Sequence, residues 1–199
     1  MRLDPGGRII VDHYYRTSAP GIYAAGDVVT PALASNAMQQ GRAAAAHACG
    51  LVFAVAVDQA ASNAVYGLPE LAGVGMTEEQ VRTAGIPYVV GRCDLATTPR
   101  GAIAGHGGLL KLIFRQDNRK LLGVHCFGDI ASEIVGLGHV VLHVGASVEL
   151  FLTLALNTPT YSYAYHDATA DGLTRLTEEM GWPTPPPPPS KPHWLAAER

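Results

Sequence analysis

The 199-residue sequence has no apolar run approaching the about 20 residues that a membrane-crossing helix needs. Cysteine is scarce: Cys49, Cys93 and Cys126 are three in number and widely spaced. That spacing suggests no disulfide framework and no zinc site, and it leaves no close pair to act as a redox dithiol. An excess of one charge is lacking too, since the formal net charge is −3, so no bulk attraction to nucleic acid or to an anionic membrane is implied. Met1-Arg2-Leu3-Asp4-Pro5-Gly6-Gly7 lacks the apolar core of a signal peptide, and a cytoplasmic setting is the expectation. Nowhere does Gly-x-Gly-x-x-Gly occur, so the usual pyrophosphate cradle of a dinucleotide fold is missing. What is present is 48% hydrophobic residues, enough to build a core.

The stretch that organises the chain is Pro20-Gly21-Ile22-Tyr23-Ala24-Ala25-Gly26-Asp27-Val28. Its apolar residues do not alternate, which predicts a short strand buried on both faces. Gly26 permits a tight turn or the close approach of a ligand, and Asp27 stands at the strand end, where open α/β sheets bind ligands. A carboxylate there can accept hydrogen bonds from a sugar or polyol hydroxyl; the plainer alternative is that it caps a turn. Upstream, Arg8-Ile9-Ile10-Val11-Asp12 reads as another strand. Downstream, residues 33–50, with the run Ala43-Ala44-Ala45-Ala46 and a stop at Gly50, predict a helix.

From Val65 the pattern changes. Thr77 with Gln80 forms a capping box for a helix over 78–84 that stops at Gly85, with Pro87 beyond. Tyr88–Cys93, Leu109–Arg115 and Leu121–Phe127 are strand-like, and Gln116-Asp117-Asn118-Arg119-Lys120 joins the last two as a hairpin. Helices follow over about 130–143, capped by Asp129, over 148–154 and over 161–177, with Asn157-Thr158-Pro159-Thr160 as a break. An antiparallel sheet first and helices after it predict an α+β arrangement. Tyr161, Tyr163, Tyr165 and His166 are read as half-buried interface aromatics. His139 and His143 are spaced i, i+4, but no nearby carboxylate completes a His-Glu-x-x-His motif, so no metal is expected. Thr184 to Ser190 is a polyproline segment suited to a stiff or disordered tail.

These words together resemble the pyridine nucleotide–disulphide oxidoreductase family. The match in the first part lies in Arg16-Thr17-Ser18-Ala19-Pro20, the Gly26-Asp27 strand end and Leu33-Ala34-Ser35 with Gly41-Arg42. In the second it lies in Val74-Gly75-Met76-Thr77-Glu78-Glu79, Leu121-Leu122-Gly123-Val124-His125 and Ala131-Ser132-Glu133-Ile134. Arg92-Cys93-Asp94-Leu95 and Arg100-Gly101-Ala102-Ile103-Ala104-Gly105 look closest to the soluble transhydrogenase branch. The resemblance implies the end of an FAD-binding α/β domain over 1–50, a linker over 51–64, an FAD/NAD-linked reductase dimerisation domain over 65–178 and a Pro-rich disordered tail over 179–199.

It further implies FAD as cofactor, with Gly26 and Asp27 at its ribityl chain and Leu33, Ala34 and Ser35 beside the isoalloxazine. With a flavin present, a place at its edge is the alternative to the interface reading for Tyr165 and His166. It implies NAD(P) as the nicotinamide partner of the full-length relative, and a homodimer or a pairing with a full-length relative. The chain looks like the C-terminal portion of a longer enzyme. In disulphide-reducing members a His-Pro-Thr segment supplies an acid/base His oriented by a Glu; here Thr158 and Tyr163 stand in those places. Threonine does not titrate near neutral pH, so thiol acid–base work is disfavoured and no catalytic residue is assigned to this chain. Hydride transfer through a flavin, as in the transhydrogenase branch, is the expected activity of the longer protein; the alternative is a non-catalytic dimerisation module.

Overall fold

The computed structural model describes residues 1–30, 33–51 and 61–179. Most of the expected linker (52–60) and the polyproline tail (180–199) lie outside the described residues.

The first unit is built from turns and one helix. Residues 1–28 fold back on themselves through isolated antiparallel bridges, Leu3 with Ile9, Val11 with Thr17 and Arg16 with Tyr23. The strands expected at 8–12 and 22–25 therefore do not form as extended strands. Ile22 is 47% exposed, so the expected burial on both faces is corrected as well. The physical reason is that the neighbour of Tyr23 is the single residue Arg16, and no regular ladder among the described residues covers the segment. Helix α1 then spans Ala34–Ala48, rich in the best helix former, and ends before Gly50 in the left-handed conformation. Ala43, Ala44 and Ala46 are buried along it.

The second unit is a five-stranded antiparallel sheet with order β1-β2-β5-β4-β3. The strands are β1 (Asn63–Val65), β2 (Glu70–Gly75), β3 (Tyr88–Asp94), β4 (Leu109–Arg115) and β5 (Leu121–Gly128). The β4–β5 hairpin forms with Leu110 opposite Cys126 and Leu112 opposite Val124, as the alternation requires. Helix α2 (Glu78–Thr83) carries the expected capping box: Thr77 accepts from Gln80 N, and Gln80 accepts from Thr77 N. A further short helix, α3 (Pro99–Ala104), was not expected; Thr98 caps it, Pro99 opens it and Gly105 closes it in the left-handed region.

Helices α4 (Ala131–His143), α5 (Leu150–Thr153) and α6 (Ala164–Glu179) complete the unit. The last begins later than expected, because Tyr161–Tyr163 forms a 3₁₀ turn. Asp129 does not cap α4: it pairs with His106. Instead Glu70, at the start of β2, accepts from both Ser132 N (2.9 Å) and Ser132 Oγ (2.7 Å), so a strand carboxylate satisfies the helix start. One sheet face, carrying Ala72, Val74, Val89, Cys93, Leu110, Leu112, Val124 and Cys126, packs under α4 and α6. Gly91 on β3 lets α6 approach so closely that an added Cβ would run into the Ala168 carbonyl.

Tyr165 is fully buried in this core, its ring 4.6 Å from that of Phe151, so neither the interface nor the flavin-facing role expected for it holds. Its hydroxyl accepts from Gly138 N (3.0 Å) and donates to Ile134 O (2.9 Å), bridging two groups of α4 four residues apart.

Candidate functional site

Of the residues expected at a cofactor, Gly26 is buried and has φ +83°, a conformation that suits glycine. Its amide donates to the side-chain oxygen of Gln40 at 2.7 Å. Its carbonyl accepts from Val29 N (2.9 Å) and Thr30 N (3.2 Å), so the peptide on both sides is held. A Cβ at Gly26 would lie 3.5 Å from that of Ala37, which places the turn against the beginning of α1. Asp27 follows with its side chain exposed. Leu33 is the N-cap of α1, with no side-chain cap bond, and Ala34 and Ser35 open the helix, all three exposed. The first turn holds no acidic residue, so the positive end of the helix dipole is not cancelled there.

Four further residues shape this turn, and none of them carries a local sequence signal for that role. Gln40 is only 4% exposed, a buried amide within the polar-looking Met38-Gln39-Gln40-Gly41. Tyr23 Oη and His47 Nδ1 share a hydrogen bond of 2.7 Å. The Tyr14 ring lies against His47 with centroids 4.3 Å apart. A groove of about 470 Å³ runs past Arg2, Asp12, Arg16 and Tyr23, and neither Asp27 nor α1 lines it.

The residues standing where a disulphide reductase has its acid/base pair lie on the second unit. Thr158 is exposed, and Thr160 Oγ donates to Asn157 O at 2.5 Å, so the loop closes on itself without a titratable group. Tyr163 stacks on His166 at 5.0 Å, and His166 lies 3.3 Å from Asp167. His139 and His143 sit on α4, and among the described residues no group of three His, Cys, Asp or Glu side chains is close enough to hold a metal. Burial pushes the Cys93 thiol up to about 11 and the Cys126 thiol up to about 12, so neither is poised as a thiolate.

Residues 61–169 match the family described as pyridine nucleotide-disulphide oxidoreductase, dimerisation domain, and residues 1–41 match pyridine nucleotide-disulphide oxidoreductase. A soluble pyridine nucleotide transhydrogenase of Mycobacterium tuberculosis is 41% identical over 178 residues, covering 88% of this chain and 38% of that protein. One from Marinobacter nauticus is 39% identical over 175 residues, covering 85% of this chain and 38% of that protein. The chain thus spans less than half the length of these relatives. Among solved structures, LpdA of Mycobacterium tuberculosis superposes with a TM-score of 0.75 at 27% identity, covering 85% of this chain and 37% of that one. The HOCl-induced flavoprotein disulfide reductase RclA of Escherichia coli shares the fold with a TM-score of 0.75 at 23% identity, over 85% of this chain and 40% of that one. The sheet order, the helices over one face and the match across 61–169 lead to one conclusion: the chain belongs to the pyridine nucleotide–disulphide oxidoreductase family.

Proposed function

We propose that the chain is the C-terminal part of an FAD-dependent oxidoreductase that moves hydride between NAD(P)H and NAD(P)+ in the cytoplasm, acting as a homodimer. On this reading residues 1–50 hold one edge of the FAD, 51–64 link, 65–178 dimerise and 179–199 form a tail. The flavin, when bound, supplies the hydride-accepting and hydride-donating chemistry. The chain's own part is to bind and orient. Asp27, exposed at the end of a pinned turn, accepts hydrogen bonds from ribityl hydroxyls. The backbone N–H groups that open the helix at Leu33, Ala34 and Ser35 face the isoalloxazine and favour electron density there. The residues present fit this role: the turn needs a glycine at φ +83°, and the helix start carries no competing carboxylate.

The observation that favours hydride transfer over dithiol chemistry is the 157–160 loop, whose side chains hold no group that titrates near neutral pH. The test is a chimera in which residues 1–179 replace the matching segment of the Mycobacterium tuberculosis soluble transhydrogenase. The expected result is a yellow dimer that passes hydride from NADPH to thio-NAD+. A folded, dimeric and colourless chimera would favour the second reading, a dimerisation module without a flavin site. That reading draws support from the dimerisation match, which spans more than half of the chain, while the other match ends at residue 41.

A further inference from the structure

We propose that Gln40 is a positioning residue for the flavin-facing carboxylate, and that Tyr23 with His47 is the second pin of the same clamp; this rests on the flavin reading above. The argument starts from cost. A glutamine side chain carries donors and an acceptor, and burying it without partners is unfavourable. Gln40 is nevertheless 4% exposed, and its oxygen receives the Gly26 amide at 2.7 Å. The bond joins residues 14 positions apart, so local chain geometry does not require it.

Its consequence falls on Asp27. The Gly26 N–H is taken by Gln40 and the Gly26 C=O by Val29 and Thr30, so the backbone entering Asp27 has one orientation. Gln40 and His47 are seven residues apart on α1 and therefore lie on one helix face. Gln40 holds the turn and His47 holds Tyr23, three residues before it. The segment 23–26 is thus laid along the helix by two side-chain bonds. The same helix begins at Ala34 with the backbone N–H groups assigned to the ring. Both halves of the cofactor cradle are therefore referenced to one rigid element, and the clamp fixes the carboxylate relative to the helix start. Neither Gln40 nor His47 touches the cofactor in this account.

The test uses the transhydrogenase chimera carrying residues 1–179, with Gln40→Met, Gln40→Glu and Tyr23→Phe variants. Hydrogen exchange of the Gly26 amide and FAD affinity by flavin fluorescence are both read. In Gln40→Met the Gly26 amide exchanges about tenfold faster or more and FAD binds about tenfold more weakly, while exchange in β4 and α6 is unchanged. Gln40→Glu keeps an acceptor oxygen and holds both readouts within about threefold of wild type. Tyr23→Phe removes the second pin without altering α1 and weakens FAD binding about threefold. Unchanged exchange in Gln40→Met overturns the clamp. Faster exchange with unchanged FAD affinity overturns the positioning role. A folded parent chimera that binds no FAD overturns the flavin reading and the positioning role with it, while the exchange arm still reports separately on the bond.

Discussion

Removing one oxygen atom from the core, by Tyr165→Phe, tests how α4 is built. The hydroxyl is fully buried and makes two bonds, from Gly138 N at 3.0 Å and to Ile134 O at 2.9 Å. Those two backbone groups stand at the i, i−4 spacing that an α-helix joins directly. The ring keeps its packing against Phe151 in the variant, so only the polar contribution changes. If the two groups are left without a partner in the variant, each costs about 1–3 kcal/mol, or about 2–6 kcal/mol together. If they pair with each other instead, the loss shrinks towards about 1 kcal/mol. The expected destabilisation is therefore at least about 1 kcal/mol, a fall in Tm of roughly 2–4 °C for each kcal/mol in a chain of this size. Urea unfolding followed by near-UV circular dichroism measures it. A variant within about 0.5 kcal/mol of wild type would refute the claim that the hydroxyl is part of the helix's bonding.

Other expectations follow from the same packing. Gly138→Ala should destabilise despite its gain in helix propensity of about 1 kcal/mol, because the new methyl would lie 2.6 Å from Val124 Cγ2 and 2.7 Å from Tyr165 Oη; thermal melts check the sign. Thiol titration of the native chain near pH 8 should count one reactive cysteine, the exposed Cys49, and three after unfolding, since Cys93 and Cys126 are buried with raised pKa values. The backbone N–H of Ser132, followed by its hydroxyl, pulls the Glu70 carboxyl below its ordinary 4.5. A depressed folded-state pKa gives stability that is present above the unfolded value and lost as pH falls below about 4.5 through the folded value. Glu70→Gln should therefore flatten the acid limb of a Tm-against-pH profile, and an unchanged limb would contradict the helix-capping role of Glu70.

The parts of the fold that are legible in the sequence are those with local grammar. The Thr77–Gln80 box, the alternating β4–β5 hairpin and the alanine-rich α1 each announce themselves within a few residues. Strand β2 does not, because Gly73 and Gly75 dilute its pattern; both are needed where an added Cβ would meet His125 Nδ1 at 2.7 Å or crowd the backbone of β5. Helix α3 has a readable Thr98-Pro99 start and Gly105 stop but is only six residues long. The sequence offers Asp129 as the cap of α4 because the group that actually satisfies the helix start, Glu70, is 62 residues from Ser132. The candidate site divides in the same way. Gly26 and Asp27 stand out as a strand-end motif, whereas Gln40 looks like any polar helix residue until the fold brings it to Gly26.

The most direct test of the central claim is a titration with FAD of the purified transhydrogenase chimera carrying residues 1–179, followed by desalting and a visible spectrum, alongside the same chimera with Asp27→Ala. The account predicts saturable flavin binding by the parent chimera that the variant weakens about tenfold, the loss of about one charge-assisted hydrogen bond. A folded but colourless parent chimera, or equal binding by both proteins, would contradict it.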